Sequence, residues 1–149
     1  MSWRVTVAAV VERQGRFLMV EETDKVHPEP VFNQPAGHLD PGETLLEAVV
    51  RECLEETSMP FTPEALLGIY QVQARNGHDY LRVAFSGTVP EGLEPVPQPG
   101  EILACHWLTR DEVALRPRSS ATLRCIDDYL AGVRLPLSAA SHVHRDRTP

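Results

Sequence analysis

Cysteine is sparse in this 149-residue chain: Cys53, Cys105 and Cys125 stand far apart, with no CxxC spacing. That argues against a cysteine-built zinc site or a disulfide framework and leaves buried free thiols as the expectation. Long apolar runs are missing too. None approaches the ~20 residues that cross a bilayer, so no membrane partner is expected. The first residues, MSWRVTVAAVVERQG, lack the apolar block and small-residue cleavage site of a signal peptide, which makes a cytoplasmic protein the expectation. Positive charge is short as well. The 14 Lys and Arg against 21 Asp and Glu give a formal charge of −7, the wrong balance for gripping a nucleic acid polymer. A small phosphate compound carried on a metal ion remains compatible with that charge. Internal repeats and linkers are also absent. Residues 1–149 are therefore expected to form a single domain and to act as a monomer, with a flexible tail from about residue 138.

What is present alternates between strand and helix signals. Residues 3–14 and 16–23 read as strands around Gly15, and 31–43 as a short extended piece broken by Pro35, Gly37, Pro41 and Gly42. From about Thr44 to Thr57, Leu46, Val49, Val50, Cys53 and Leu54 follow the spacing of a buried helix face. Strands are expected at 66–74 and 79–89, joined by a turn at Asn76-Gly77, and again at 102–108. Thr109 reads as an N-cap, and a last helix over 119–132 stops at Gly132. The expected class is α/β, a mixed β-sheet sandwiched between α-helices.

The helix at 44–57 carries an anomaly. Glu52, Glu55 and Glu56 crowd within about one turn, where like charges repel and oppose the helix dipole. Arg51 is the one cation between Val31 and Pro60, so the cluster lacks the interleaved Lys and Arg of a surface selected for stability. The counter-charge could come from a ligand. Hard divalent ions such as Mg²⁺ take carboxylate oxygens together with substrate phosphates, and the peptide carbonyl of Gly37 could add another oxygen. Glu43, eight residues before Arg51, could fold back to pair with it and leave Arg51 to orient the loop.

The segment GHLDPGETLLEAVVRECLEETSM, residues 37–59, resembles the Nudix box G-x5-E-x7-R-E-U-x-E-E-x-G-U, where U is a bulky apolar residue. Gly37, Glu43, Arg51, Glu52, Glu55 and Glu56 fall in register, and Cys53 and Met59 fill the apolar positions. Ser58 replaces the final glycine, at a place after the helix that calls for left-handed backbone. A serine there should cost on the order of 1 kcal/mol. The runs VEET at 20–23, NQPAGHLD at 33–40 and LRCIDDYLAGVRLPL at 123–137 extend the similarity to the NudJ-type phosphatases of this family.

The resemblance implies the Nudix fold and Mg²⁺-dependent hydrolysis of a phosphoanhydride, with Mn²⁺ as the alternative ion. Glu52, Glu55 and Glu56 would be metal ligands, Glu56 foremost, with Gly37 and Glu101 as further candidates. Glu43 and Arg51 complete the catalytic set. The general base stays open among Glu52, Glu55 and Glu101. Phe32, Asn33, Gln34 and Arg82 are the candidate substrate contacts. The implied substrates are small molecules: nucleoside di- and triphosphates and hydroxymethylpyrimidine diphosphate, with release of orthophosphate. The alternatives are a Nudix pyrophosphatase for ADP-ribose, a dinucleoside polyphosphate or an oxidised nucleotide, and a nucleotide-binding module without turnover.

Overall fold

The computed structural model describes residues 3–73 and 77–144. Strand β1 (Trp3–Arg13) turns at Gln14-Gly15, both at positive φ, into β2 (Arg16–Glu22). Two short strands follow, β3 (Val31–Asn33) and β4 (Ala36–His38), then helix α1 (Leu45–Thr57). Strands β5 (Thr62–Gln73), β6 (Asp79–Thr88) and β7 (Ile102–Leu108) come next, then α2 (Arg110–Val113), α3 (Ser120–Leu130) and a 3-10 turn at Leu137–Ala139.

β1 organises the sheet. It runs parallel to β6 from Trp3↔Asp79 to Val11↔Gly87, and antiparallel to β4 through Val7↔Gly37. Its far end pairs with β2, which in turn pairs with β3 and β7. β5 lies antiparallel to β6, so the sheet is mixed. Residues on both faces of β1 are buried, because each face is covered by a helix. Val7, Ala9 and Val11 pack with Val49 and Cys53 of α1, while Ala8 and Val10 pack with Cys125 and Ile126 of α3. This is the expected sheet between helices.

β5 begins earlier than the sequence signal, at Thr62. Bulges at Pro63/Ala65 and Leu66/Gly68 absorb the proline, which obscured the alternation. Asn76 of the expected turn lies outside the described residues; Gly77 has φ 83°. The chain after α3 returns to the sheet. Leu135 exchanges backbone hydrogen bonds with Leu66, and Leu137 and Ala140 pack on the α1-side core.

Gly87 marks the tightest contact between β6 and β5. A Cβ there would stand 2.0 Å from the Thr62 carbonyl oxygen, and backbone cannot swing aside as a side-chain tip can. Gly87→Ala should therefore destabilise by about 3 kcal/mol, the upper part of the range for overpacking. The check is a fall in urea midpoint with little change in slope.

Candidate active site

α1 begins at a capping box. Thr44 Oγ1 accepts from the Glu47 N–H at 3.1 Å, and Glu47 Oε1 accepts from the Thr44 N–H at 3.0 Å. This start rotates Ala48, Val49 and Cys53 into the core and turns the acidic arc toward the loop ahead of the helix. At the other end Ser58 adopts the left-handed conformation, with φ 61°. Its Oγ donates to the Val96 carbonyl at 2.9 Å, offsetting some of the backbone strain by tying the helix end to the 90–101 loop.

Arg51 is the hub of the box. Its Nε and Nη2 donate to the two oxygens of Glu43, the latter at 2.9 Å. Nη1 reaches Glu52 at 2.8 Å and Glu55 at 3.2 Å, and Nη2 also reaches the His38 carbonyl at 3.0 Å. Asp40 lies 3.4 Å away. All of its donor directions thus end on protein acceptors, which commits this guanidinium to holding the loop. The hydrogen bond from Arg51 keeps Glu43 below the usual carboxylate range.

Glu52 lies over β4. A Cβ on Gly37 would come within 2.2 Å of the Glu52 Cδ, so the absence of a side chain at 37 is what seats this carboxylate. Burial raises the Glu52 pKa, and its bond to Arg51 opposes the rise. Glu56 is deeper still. Its Oε1 accepts from the Ala36 N–H at 2.8 Å. Burial pushes its pKa up to about 8, with Glu22 and Glu52 adding to the rise and the Ala36 bond and Arg118 opposing it. Glu55 is the exposed member, its side chain 57% accessible.

The expected three-carboxylate platform is not drawn together. Glu52 and Glu55 turn to Arg51 while Glu56 turns inward, and among the described residues no three His, Cys, Asp or Glu side chains converge as a metal centre. The chemistry of the donors nonetheless fits a hard divalent ion. They are oxygen donors, two of them pushed toward the protonated state by burial, and a bound cation reverses that pressure. Glu101 is exposed on the loop entering β7, next to Ile102, whose partner in β2 is Glu22.

The expected substrate contacts need correction. Gln34 and Arg82 are 1% and 7% exposed. Arg82 donates to Asn33 Oδ1 at 3.2 Å and to Gln34 Oε1, and Gln34 Nε2 donates to the Thr122 carbonyl at 2.8 Å. Thr122 Oγ1 donates to the same Asn33 oxygen at 3.2 Å. These side chains bond to one another between β3, β6 and α3, leaving only Arg82 Nε without an acceptor among their buried polar atoms, and so support the site from behind. Phe32 belongs to the α3-side core, with the Arg116 guanidinium stacked 4.6 Å from its centroid. A base cannot use the face that Arg116 covers.

Two residues escaped the sequence reading. Glu22 is a buried carboxylate at the end of β2, paired with Arg118 Nη1 and 3.4 Å from Asn33 Nδ2. Its signal was parity: it points the same way as the buried Leu18 and Val20. Arg118 had no local signal, since only the fold brings it back across 96 positions to Glu22.

Comparison with known proteins bears on this arrangement. The NUDIX domain model matches residues 2–129. The Escherichia coli protein named phosphatase NudJ is 37% identical over 135 residues, covering 89% of this chain and 87% of its own. A NUDIX hydrolase from Nitrosomonas europaea superposes with a TM-score of 0.86 at 40% identity, over 95% of this chain and 98% of that one. The NUDIX domain of Shewanella oneidensis NrtR, solved with ADP ribose, shares the fold at TM-score 0.73 and 19% identity, covering 89% of each chain.

Proposed function

Because this chain belongs to the Nudix family and is a NudJ-like hydrolase, we propose that it cleaves nucleoside di- and triphosphates, and hydroxymethylpyrimidine diphosphate, releasing orthophosphate. The observation that carries the reading is the box itself. Arg51 is wholly occupied by Glu43 and its neighbours, Glu52 is seated on Gly37, and Glu56 is buried with its nearest hydrogen-bond donor an amide rather than a cation. Such a carboxylate wall suits a magnesium-bound phosphate chain better than a bare anion, which it would repel.

Glu56, Glu52, Glu55 and the Gly37 carbonyl would hold the Mg²⁺, or Mn²⁺ in its place, with Glu101 as the further candidate. When bound, the ion neutralises phosphate oxygens and makes water a better nucleophile. The protein supplies the rest. Glu43 and Arg51 fix the loop that follows β4 and its Gly37, and the Asn33, Gln34 and Arg82 network fixes β3 against β6. The attacking water gives its proton to a carboxylate of this wall, with Glu52, Glu55 and Glu101 as the acceptors to be distinguished. Among the described residues no helix is long and apolar enough to cross a membrane. A monomer in the cytoplasm, acting on small molecules, completes the proposal.

The test is product analysis with Mg²⁺, with Mn²⁺ and with EDTA. The panel holds nucleoside di- and triphosphates, hydroxymethylpyrimidine diphosphate, ADP-ribose and a dinucleoside polyphosphate. Orthophosphate released from several nucleotides only when metal is present is the expected result. Pyrophosphate release, or turnover confined to ADP-ribose, would overturn the substrate reading and leave the hydrolase.

A further inference from the structure

A site lined by Glu22, Glu52 and Glu56 needs a cation of its own to receive a polyphosphate. The candidates can be sorted by what already occupies them. Arg51 spends its donors on Glu43, Glu52, Glu55 and the His38 carbonyl. Arg82 is buried behind Asn33 and Gln34. Arg116 lies over the Phe32 ring, bonded to the Pro30 carbonyl at 3.1 Å and 3.5 Å from Glu21.

Arg118 differs from all three. Its backbone is pinned, because the Arg118 N–H donates to the Phe32 carbonyl at 2.9 Å while the Phe32 N–H donates to the Arg116 carbonyl at 2.7 Å. Its Nη1 is held by the buried Glu22. The other two guanidinium nitrogens, Nε and Nη2, have no protein partner among the described residues, and the side chain is 41% exposed. Its anchor borders the site: the Glu22 carboxylate lies 3.4 Å from Asn33 Nδ2, three residues before Ala36, whose N–H bonds Glu56 at 2.8 Å.

We propose that Arg118 is a phosphate-binding residue of this site, aimed by Glu22 so that its unoccupied N–H groups meet the phosphate chain of the substrate. The proposal deepens the phosphohydrolase reading and rests on it. Glu22 is then a positioning residue, whose burial keeps the guanidinium from swinging into solvent. A guanidinium suits this task because it keeps its charge at any working pH and presents paired N–H groups to phosphate oxygens.

The bland alternative is that Arg118 merely neutralises Glu22, and a double substitution separates the two. Binding of a β,γ-imido nucleoside triphosphate and of inorganic pyrophosphate, each with Mg²⁺, is measured by calorimetry, and KM and kcat are measured on nucleotides. Arg118→Gln should weaken analogue binding by roughly 10- to 100-fold, the range for a lost charge-assisted contact, and raise KM more than it lowers kcat. Arg118→Lys should recover part of the loss. Glu22→Gln/Arg118→Gln should stay weak, because removing the buried carboxylate does not restore a phosphate ligand. Full recovery in the double variant, or unchanged binding in Arg118→Gln, overturns the proposal. Should Glu22→Gln fail to fold, Arg118→Lys decides: it keeps a positive charge opposite Glu22, so full recovery of binding means mere neutralisation and overturns the proposal, whereas partial recovery supports it. Parent protein that binds pyrophosphate through Arg118 yet turns over no nucleotide sinks the substrate reading and keeps Arg118. Folded, metal-loaded parent that binds neither probe overturns both.

Discussion

Glu56→Gln should lose metal-dependent turnover by about two to four orders of magnitude in kcat, the scale of a lost charge-stabilising or proton-transferring group. It should do so without unfolding the protein. The amide oxygen of glutamine can keep accepting the Ala36 N–H, which now bonds Glu56 Oε1 at 2.8 Å. The effect on stability has a definite sign. Burial raises the Glu56 pKa from the ordinary 4.5 to about 8 in the folded chain. The folded state therefore binds the proton more tightly than the unfolded state does. The resulting stabilisation is full below about pH 4.5 and drains away as pH rises through about 8. Metal-free parent protein should lose on the order of a few kcal/mol across that window through this group, and Glu56→Gln should not. At pH 8 to 9 in EDTA the variant is then the more stable of the two. Excess Mg²⁺ should reverse the order, because an ion that binds only the folded parent stabilises it by mass action. Melting curves at pH 5, 7 and 9, with EDTA and with Mg²⁺, test the crossing. Parallel behaviour of parent and variant in all conditions would falsify the assignment of Glu56 to the ion.

How much of this was legible beforehand differs between local and non-local features. The helix, its Thr44 cap and the Glu43–Arg51 pairing lie within one stretch of chain, where spacing translates directly into geometry. The need for left-handed backbone at Ser58 was legible for the same reason. The side of the site built by β2, β3 and the segment before α3 was not. Asn33 and Gln34 are polar residues just ahead of a motif and Arg82 is a charged residue on a strand, and exposure was the natural expectation. They are buried because β6 lies beside β1 and α3 closes over it, so that the Arg82 donors find amide oxygens 48 and 49 positions away. Their burial does work that contact with substrate would not: it locks β3, whose Phe32 carbonyl in turn holds Arg118. Glu22 could have been found by parity along β2, but a carboxylate on a buried face argues against itself until a cation is in view. That cation arrives from the far end of the chain.

Gly37→Ala should separate activity from stability more sharply than any other single change. The new Cβ would fall 2.2 Å from the Glu52 Cδ and 2.3 Å from both of its oxygens, so the two cannot coexist. What yields is the tip of a flexible side chain rather than backbone, and Gly37 does not have the left-handed φ that would strain an alanine. The β4–β1 register through Val7↔Gly37 can therefore persist, and the cost in stability should stay near or below about 1 kcal/mol. Activity should fall by roughly 10²-fold or more, because Glu52 would lose its place over the Gly37 peptide and a misplacement of about 1 Å is enough for that. Removing the obstruction supplies the control. In a Glu52→Ala background the three atoms nearest to the new Cβ are gone, so adding Gly37→Ala should change stability and the residual activity little. The two changes are thus strongly non-additive, as expected for groups in direct contact. If Gly37→Ala instead unfolds the protein, or if its effect on activity persists in the Glu52→Ala background, the glycine serves the strand rather than the carboxylate. Glu52 would then have to be seated by Arg51 alone, through its 2.8 Å hydrogen bond.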